Sequence, residues 1–327
     1  MTGVRASIAV IGCGQWGRNI ARSVAQLGHL AGICDAKEVH NSEGLPLDIS
    51  FLSLEEVLSN TDIKGVMIAT PTPTHFSLAT QALEAGKHVY VEKPMVATLA
   101  ENDALENLSQ EKDRILMVGH LLRYHPAFLK VQEMVTEGEI GNLLFVTSNR
   151  MNLGKIHLHE NVLWDFAPHD LSMILALMGK SPSSVLAADH GFMVENKGDM
   201  CSVDLKFEGR QGAHIFLSRL SPFKEQKLVV VGDRGMIVFD DTKGWDQKIT
   251  YSKSYIKWEN GIPVPIRERE EFIALPSAEP LKLECQHFID CMTSGKKPRT
   301  PGQEARQVLE IIKAAEASLE TQSWVSL

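Results

Sequence analysis

From residue 6 to about 120, short apolar runs rich in β-branched residues alternate with stretches of helical spacing. "SIAVIG" leads into "WGRNIARSVAQLG", "LAGICD" into "SLEEVLS", "GVMIAT" into "HFSLATQALEAG" and "HVYVEK" into "LAENDALENLSQEKD", and "ILMVGH" closes the series. Strand and helix alternating at this period predict an α/β fold on a parallel, doubly wound sheet. After "LRYHPAFLKVQEMVTEGEIG", a helical stretch expected to close at Gly141, longer β-rich segments separated by turn residues take over. "GDRG" between two apolar runs predicts a hairpin. The one helix predicted among these strands begins near Phe166 and ends at Gly179. The tail returns to helix at "LECQHFIDCMTSG" and "GQEARQVLEIIKAAEASLE". Two domains are expected, residues 1–122 and 123–327, the second α+β with a large, mostly antiparallel open sheet. The helices of about 281–320 are expected to pack back on the first domain.

Composition narrows the possible partners. A chain of 327 residues with 44% hydrophobic content can fill two cores. Its formal net charge of −8, without Lys/Arg-rich runs or interleaved aromatics, predicts no nucleic-acid partner. The first residues lack the pattern of a secretory leader and no apolar stretch approaches a membrane span, so a cytoplasmic protein without a membrane partner is expected. Cys13, Cys34, Cys201, Cys285 and Cys291 are scattered and odd in number, as reduced structural thiols are. No metal is expected, since His157 and His159 in "KIHLHE" lack a third ligand.

Gly12, Gly14 and Gly17 have G-x-G-x-x-G spacing where the first strand runs into its helix. In that order they permit a tight turn, close approach of a pyrophosphate to the backbone, and close packing of helix on sheet. With Gln15 and Trp16 they form the expected cofactor loop. Asp35, at the end of the second strand, suits the ribose hydroxyls of adenosine and predicts NAD rather than NADP, Lys37 being the one neighbour that would accommodate a 2′-phosphate. The next candidate is Lys93 in "GKHVYVEKPM". Pro94 biases it toward extended backbone at the carboxyl end of a strand, where doubly wound sheets bind ligands, although a solvated turn lysine fits the same residues.

"GCGQWG", "ATPTPTH" at 69–75, "VEKPM" at 91–95 and D-x-x-x-H at 165–169 together resemble the Gfo/Idh/MocA family of nicotinamide-dependent sugar and polyol oxidoreductases, over nearly the whole chain. The resemblance implies a Rossmann domain followed by a domain whose open sheet joins subunits into homodimers or homotetramers. It implies that Lys93, preceded by Glu92, meets the nicotinamide ribose and the reacting hydroxyl, that His169 accepts the proton, and that Asp165 orients or polarises the site. It also implies that Ala69, Thr70, Pro71, Pro73 and His75 lie along the cofactor.

These residue types suit alcohol oxidation. Imidazole titrates near neutrality and can act there as a base, while an ammonium group stabilises developing alkoxide charge. Asp165 and His169, four apart, would share one helical face if the helix has already begun. Asp165 also fits a helix cap, Pro168 a first turn, and Asp170 a charge stabilising the helix N-terminus. His120, Arg123, Tyr124 and His125 follow the last strand of the first domain, where the family reads its substrate, and an arginine there suits an anionic ligand. "SNRMNLGKIHLHENVLWDFAPHD" resembles a subgroup acting on nucleotide-activated sugars, in particular oxidising the 3-hydroxyl of UDP-N-acetylglucosamine ahead of 3-amino-sugar formation. Asn149, Arg150, Asn152 and Lys155 would then meet sugar or diphosphate, with Glu160, Asn161 and Trp164 at the mouth. A dehydrogenase of a free sugar or of a polyol such as inositol, and a non-catalytic NAD or sugar-nucleotide sensor, are the rival expectations.

Overall fold

The structure, a computed structural model, describes residues 7–36, 45, 49–154, 161–194 and 197–327. Its contacts form two compact units: Met1–Tyr124 with Glu279–Leu309, and His125–Ala278 with Glu310–Leu327. The first unit begins β1 (Ser7–Ile11), α1 (Gln15–Gln26), β2 (Leu30–Cys34), α2 (Leu54–Ser59), β3 (Ile63–Ile68), α3 (His75–Glu84), β4 (His88–Glu92), α4 (Leu99–Glu111) and β5 (Leu116–Gly119). Capping boxes, Ser53 with Glu56 and Thr98 with Glu101, start α2 and α4 by satisfying backbone N–H groups that a helix leaves open.

All pairs in this sheet are parallel, in the order β2-β1-β3-β4-β5. The chain moves outward from β1 to β2 and then resumes on the other side at β3. The carboxyl ends of β1 and β3 therefore flank the switch point at which such sheets bind ligands. The strands are apolar on both faces, as a sheet covered on both sides requires.

The second unit contains α5 (Pro126–Thr136), β6 (Leu143–Leu153), α6 (Val162–Met178), β7 (Ser184–His190), β8 (Met200–Lys206), β9 (Gly212–Ser218), β10 (Leu220–Gly232), β11 (Met236–Asp240), β12 (Ile249–Ser252), β13 (Tyr255–Glu259), β14 (Ile262–Ile266) and β15 (Glu271–Ile273). Helices α7 (Pro280–Ser294) and α8 (Gly302–Thr321) and strand β16 (Val325–Ser326) complete the chain. Nine strands form one sheet, β15-β12-β11-β10-β6-β9-β8-β7-β16, antiparallel except for β6 with β9. Val146, Ser148 and Arg150 of β6, with Ile215 and Leu217 of β9, are buried on the face against which α6 packs. The "GDRG" hairpin joins β10 to β11, with Gly232 N–H donating to Gly235 O at 2.9 Å.

Four sequence expectations change. Helix α5 ends at Thr136, ahead of Gly138 and Gly141, which both have positive φ. Helix α6 begins at Val162 instead of near Phe166, because Asn161 caps it by accepting the Trp164 N–H at 3.0 Å. The exposed β13–β14 hairpin, with Asn260 and Gly261 at its turn, carried a turn signature that the strand pattern had not used. The tail divides: α7 belongs to the first unit, whose core joins Ile8, Ile20 and Val24 to Leu281, Cys285, Phe288 and Ile289, whereas residues from Glu310 onward belong to the second.

Candidate active site

In the first unit the predicted cofactor residues gather at the strand ends. Gly12 has φ +98°, and a Cβ there would lie 2.7 Å from the Ala69 carbonyl oxygen. A Cβ on Gly17 would collide with the Gly12 carbonyl, so both positions require glycine to let backbone pack on backbone. Gly14 is the N-cap of α1, has open space around it and makes no side-chain cap; Gln15 and Trp16 beside it are exposed. A helix start with outward N–H groups and no side chain in the way accepts a pyrophosphate, so a dinucleotide fits this loop. Asp35, just beyond β2, accepts the Cys13 N–H on Oδ2 at 2.6 Å, which fixes its carboxylate against the same loop.

Beyond β3, Thr74 Oγ1 donates to Thr70 Oγ1 at 2.7 Å, and Pro71 and Pro73 are exposed. His75 departs from its expected place along a cofactor. Its ring is buried, with Nδ1 3.0 Å from Pro94 O and Nε2 2.7 Å from Thr70 O, so it ties the two strand-end turns together. Lys93 is half-buried and its bond to Pro94 is cis. Glu92 is also internal. Its Oε1 accepts from Trp16 Nε1 at 2.5 Å and Tyr90 OH at 2.7 Å, and its Oε2 accepts from Lys93 N–H at 3.2 Å. Glu92 thus holds Trp16 of the cofactor loop, the Tyr90 hydroxyl and the Lys93 main chain.

The predicted substrate cluster after β5 is turned inward. His120, Arg123 and Tyr124 are all buried. His120 Nδ1 and Arg123 Nη1 lie 2.9 and 3.4 Å from the Glu304 carboxylate, and the Tyr124 hydroxyl is 2.9 Å from Thr300 Oγ1. These side chains fasten the segment leading into α8. His125 begins the second unit as the N-cap of α5; its Nδ1 accepts the Ala127 N–H and its Nε2 lies 3.2 Å from Asp241 Oδ1.

In the second unit, Asp165 and His169 are one turn apart on α6, both half-buried, on one helical face. Asp165 stands in the first turn, and the cap is Asn161. Pro168 falls in the helix interior, not the first turn. Asp170 is likewise interior and fully buried, accepting Ser148 Oγ at 2.7 Å and Arg150 Nε and Nη2 at 2.8 and 3.0 Å. Arg150 and Asp170 therefore bind each other across the sheet–helix interface, and neither plays its expected part. Alternation along β6 removes Asn149 from this side: it shares the opposite face with Thr147 and Met151 and donates to Glu225 Oε1 at 2.8 Å. Asn152 lies on the Arg150 side, its Oδ1 buried and without a hydrogen-bond partner. Trp164 donates to Glu316 Oε1 at 2.7 Å, and Lys313 lies 4.7 Å over its ring, so α8 holds it. Lys155, His157, His159, Glu160 and Lys37 lie outside the described residues. Among the described residues, no group of three or more His, Cys, Asp or Glu could hold a metal ion.

Two family models match this chain: an oxidoreductase family with an NAD-binding Rossmann fold over residues 6–120, and the Gfo/Idh/MocA C-terminal domain over residues 128–238. The chain belongs to the Gfo/Idh/MocA family. Among curated relatives, UDP-N-acetylglucosamine 3-dehydrogenase of Acidithiobacillus ferrooxidans is 28% identical over 306 residues, covering 92% of this chain and 93% of that protein. The NAD(+) scyllo-inositol 2-dehydrogenase of Bacillus subtilis is 27% identical, covering 80% and 76%. A solved structure of the Acidithiobacillus enzyme superposes with a TM-score of 0.85 at 25% identity, covering 96% of this chain and 97% of that one. Membership of the Gfo/Idh/MocA family makes the chain an oxidoreductase with a Rossmann domain and a second, mixed β-sheet domain.

The sequence reading of this Gfo/Idh/MocA chain missed two buried groups near the candidate residues. Glu284 of α7 reaches the E-K-P strand end through Tyr90. Arg219 and Asp199, 3.6 Å apart and both buried, underlie the start of α6: Asp199 accepts the Phe192 and Met193 N–H groups, and the Arg219 N–H donates to Asp199 O. Both groups are formed by residues far apart in sequence, and no local motif marks them.

Proposed function

We propose that this chain is an NAD-dependent dehydrogenase that oxidises a secondary hydroxyl of a nucleotide-activated sugar, with the 3-hydroxyl of UDP-N-acetylglucosamine as its substrate. The observation that carries this reading is end-to-end similarity to a UDP-N-acetylglucosamine 3-dehydrogenase in a chain that has Lys93 at the end of β4 and Asp165 and His169 one turn apart on α6. NAD, when bound, takes up the hydride. The protein's part is position and charge. The α1 N-terminus holds the pyrophosphate, and Asp35 holds the adenosine ribose, its fixed carboxylate opposing a 2′-phosphate. His169 accepts the hydroxyl proton at an imidazole nitrogen, and the Lys93 ammonium lowers the energy of the alkoxide that forms. Asp165, one turn away, orients the imidazole and stabilises its protonated form. Asn152 and Lys155 contact the substrate. Homodimers or homotetramers form through the open face of the nine-stranded sheet.

The test mixes protein and NAD with UDP-N-acetylglucosamine, free N-acetylglucosamine, myo-inositol and scyllo-inositol, and follows NADH absorbance, with a glutamate-dependent aminotransferase added to draw off a 3-keto product. Turnover of the UDP-sugar alone, giving the 3-keto or 3-amino sugar, supports the proposal. Turnover confined to an inositol would move the chain to the polyol dehydrogenases, which the scyllo-inositol relative represents.

A further inference from the structure

The E-K-P strand end hides a second carboxylate. Glu92, the last residue of β4, and Glu284, on α7, are both buried within the first unit, and the Tyr90 hydroxyl stands between them. That hydroxyl is 2.7 Å from Glu92 Oε1 and 3.2 Å from Glu284 Oε2. Gly119 of β5 leaves the space, since a Cβ there would collide with both the Tyr90 hydroxyl and the Glu92 carboxylate.

A phenol carries one proton and cannot satisfy two carboxylates. Glu92 already accepts from Trp16 Nε1 and from the Lys93 N–H, the environment of an ionised group, and the shorter contact assigns it the Tyr90 proton as well. The remaining contact places the Tyr90 oxygen beside a Glu284 oxygen. Two lone-pair-bearing oxygens in a dry interior make a hydrogen bond only if one of them brings a proton, and that proton can only be on Glu284. Glu284 Oε1, the other oxygen, has no hydrogen-bond partner, as a neutral acid tolerates and an anion does not.

We infer that Glu92 and Glu284 form a one-proton carboxylate pair, Glu284 neutral and Glu92 charged, and that the chain from Glu284 O–H through Tyr90 O–H to Glu92 positions Trp16 and the Lys93 main chain for the dehydrogenation. The inference rests on the proposed catalytic role of Lys93 but adds a control from α7, which contributes nothing to the glycine loop or the E-K-P motif by sequence. Burial first, and then the charge of Glu92, push Glu284 well above the usual carboxylate range. Burial also raises Glu92, against the lowering effect of its bonds from Tyr90 and Trp16 and of nearby Lys93. The other titratable groups facing the pair are Tyr124 and Cys285, both shifted upward by burial first and by Glu284 next, so neither supplies a competing charge.

The experiment reads the proton directly and does not depend on which sugar is oxidised. Infrared spectra of the whole protein at neutral pH should contain the carbonyl stretch of a protonated carboxylic acid, shifted in heavy water, and Glu284→Gln should remove it. An identical band in wild type and Glu284→Gln, or no such band in wild type, overturns the inference. In function, Glu284→Leu should weaken NADH binding and lower kcat/KM by about tenfold, as loss of one buried donor predicts, while Glu284→Gln, whose amide can still donate to Tyr90, should recover most of it. Glu92→Gln should do at least as much damage as Glu284→Leu, since its amide nitrogen would face a donor on either side, the Lys93 N–H in place of Oε2 or Trp16 Nε1 and the Tyr90 hydroxyl in place of Oε1. If Glu284→Gln is no better than Glu284→Leu in NADH affinity, the chain is not a donor relay. If no tested sugar turns over, the band and the NADH affinities still decide this question, and only the substrate reading fails.

Discussion

At the scale of single residues, the assignment of roles rests on contrasts between neighbours. Asp165, His169 and Asp170 lie within six positions of one another, yet Asp170 is consumed by Arg150 and Ser148 while the other two stay half-buried on their own face of α6. His169→Ala should therefore lower kcat by about 10²–10⁴-fold, the usual worth of a general base, with NADH affinity retained. Lys93→Ala should lose comparable turnover through uncompensated alkoxide charge, and a His169→Ala variant of normal kcat would show the base to be misassigned. The places of these residues in the fold, at strand ends and on one face of α6, were legible in advance, because G-x-G-x-x-G, E-K-P and D-x-x-x-H are each local in sequence. The errors came from listing polar residues by proximity along the chain. Asn149 and Arg150 cannot line one site, since adjacent strand residues point to opposite faces, a rule that the sequence itself offered. Nothing local could have paired Arg150 with Asp170 or Tyr90 with Glu284.

At the scale of elements, caps decided where side chains ended up. Asn161 starts α6 a full turn before the apolar run suggested, which is why Pro168 and Asp170 lie in its interior. The signal was present as an asparagine followed by apolar residues and then an acid in the first turn. The cap of α5 is more elaborate. His125 holds Ala127 N–H on one nitrogen and meets Asp241 with the other, while its ring stacks on Trp245 at 5.2 Å and Lys248 adds a 2.7 Å contact to Asp241. Burial by itself would raise the Asp241 carboxyl, but the hydrogen bonds from His125 and Lys248 outweigh it and hold the group at about 2, below its ordinary 3.8. A carboxyl depressed in the folded state stabilises the fold above its ordinary value and loses that contribution as pH falls toward the depressed one. Thermal denaturation should accordingly show stability lost between pH 3.8 and about 2, and Asp241→Asn should flatten the curve in that window. An unchanged acid profile in the variant would mean that Asp241 is not held by this cap.

At the scale of the whole molecule, the alternation of strand and helix and its later change to longer strands with few helices gave the fold class, a parallel sheet followed by a larger, mostly antiparallel one. The return of α7 to the first unit was expected as well, but not the passage of the residues from Glu310 onward to the second. Helix α7 is amphipathic like any other, and the buried partners Phe288 and Cys285 show which sheet it completes. The large sheet of the second unit has its helices on one face, and the other carries partly exposed Phe145, Met151 and Phe216 among polar residues. No helix among the described residues is long and apolar enough to cross a membrane. Phe216→Lys should shift the mass measured by light scattering toward the monomer if this face joins subunits. A mass unaffected by Phe216→Lys would place the interface elsewhere.

The split ancestry of the first core also fixes an order of events during synthesis. Domains usually fold as they emerge, the earliest first. Here the N-terminal strands leave the ribosome long before Leu281, Cys285 and Phe288, with eight of the nine strands of the second sheet made in between. The glycine loop and Lys93 are thus synthesised before α7, whose Leu281, Cys285, Phe288 and Ile289 complete the core around Ile8, Ile20 and Val24.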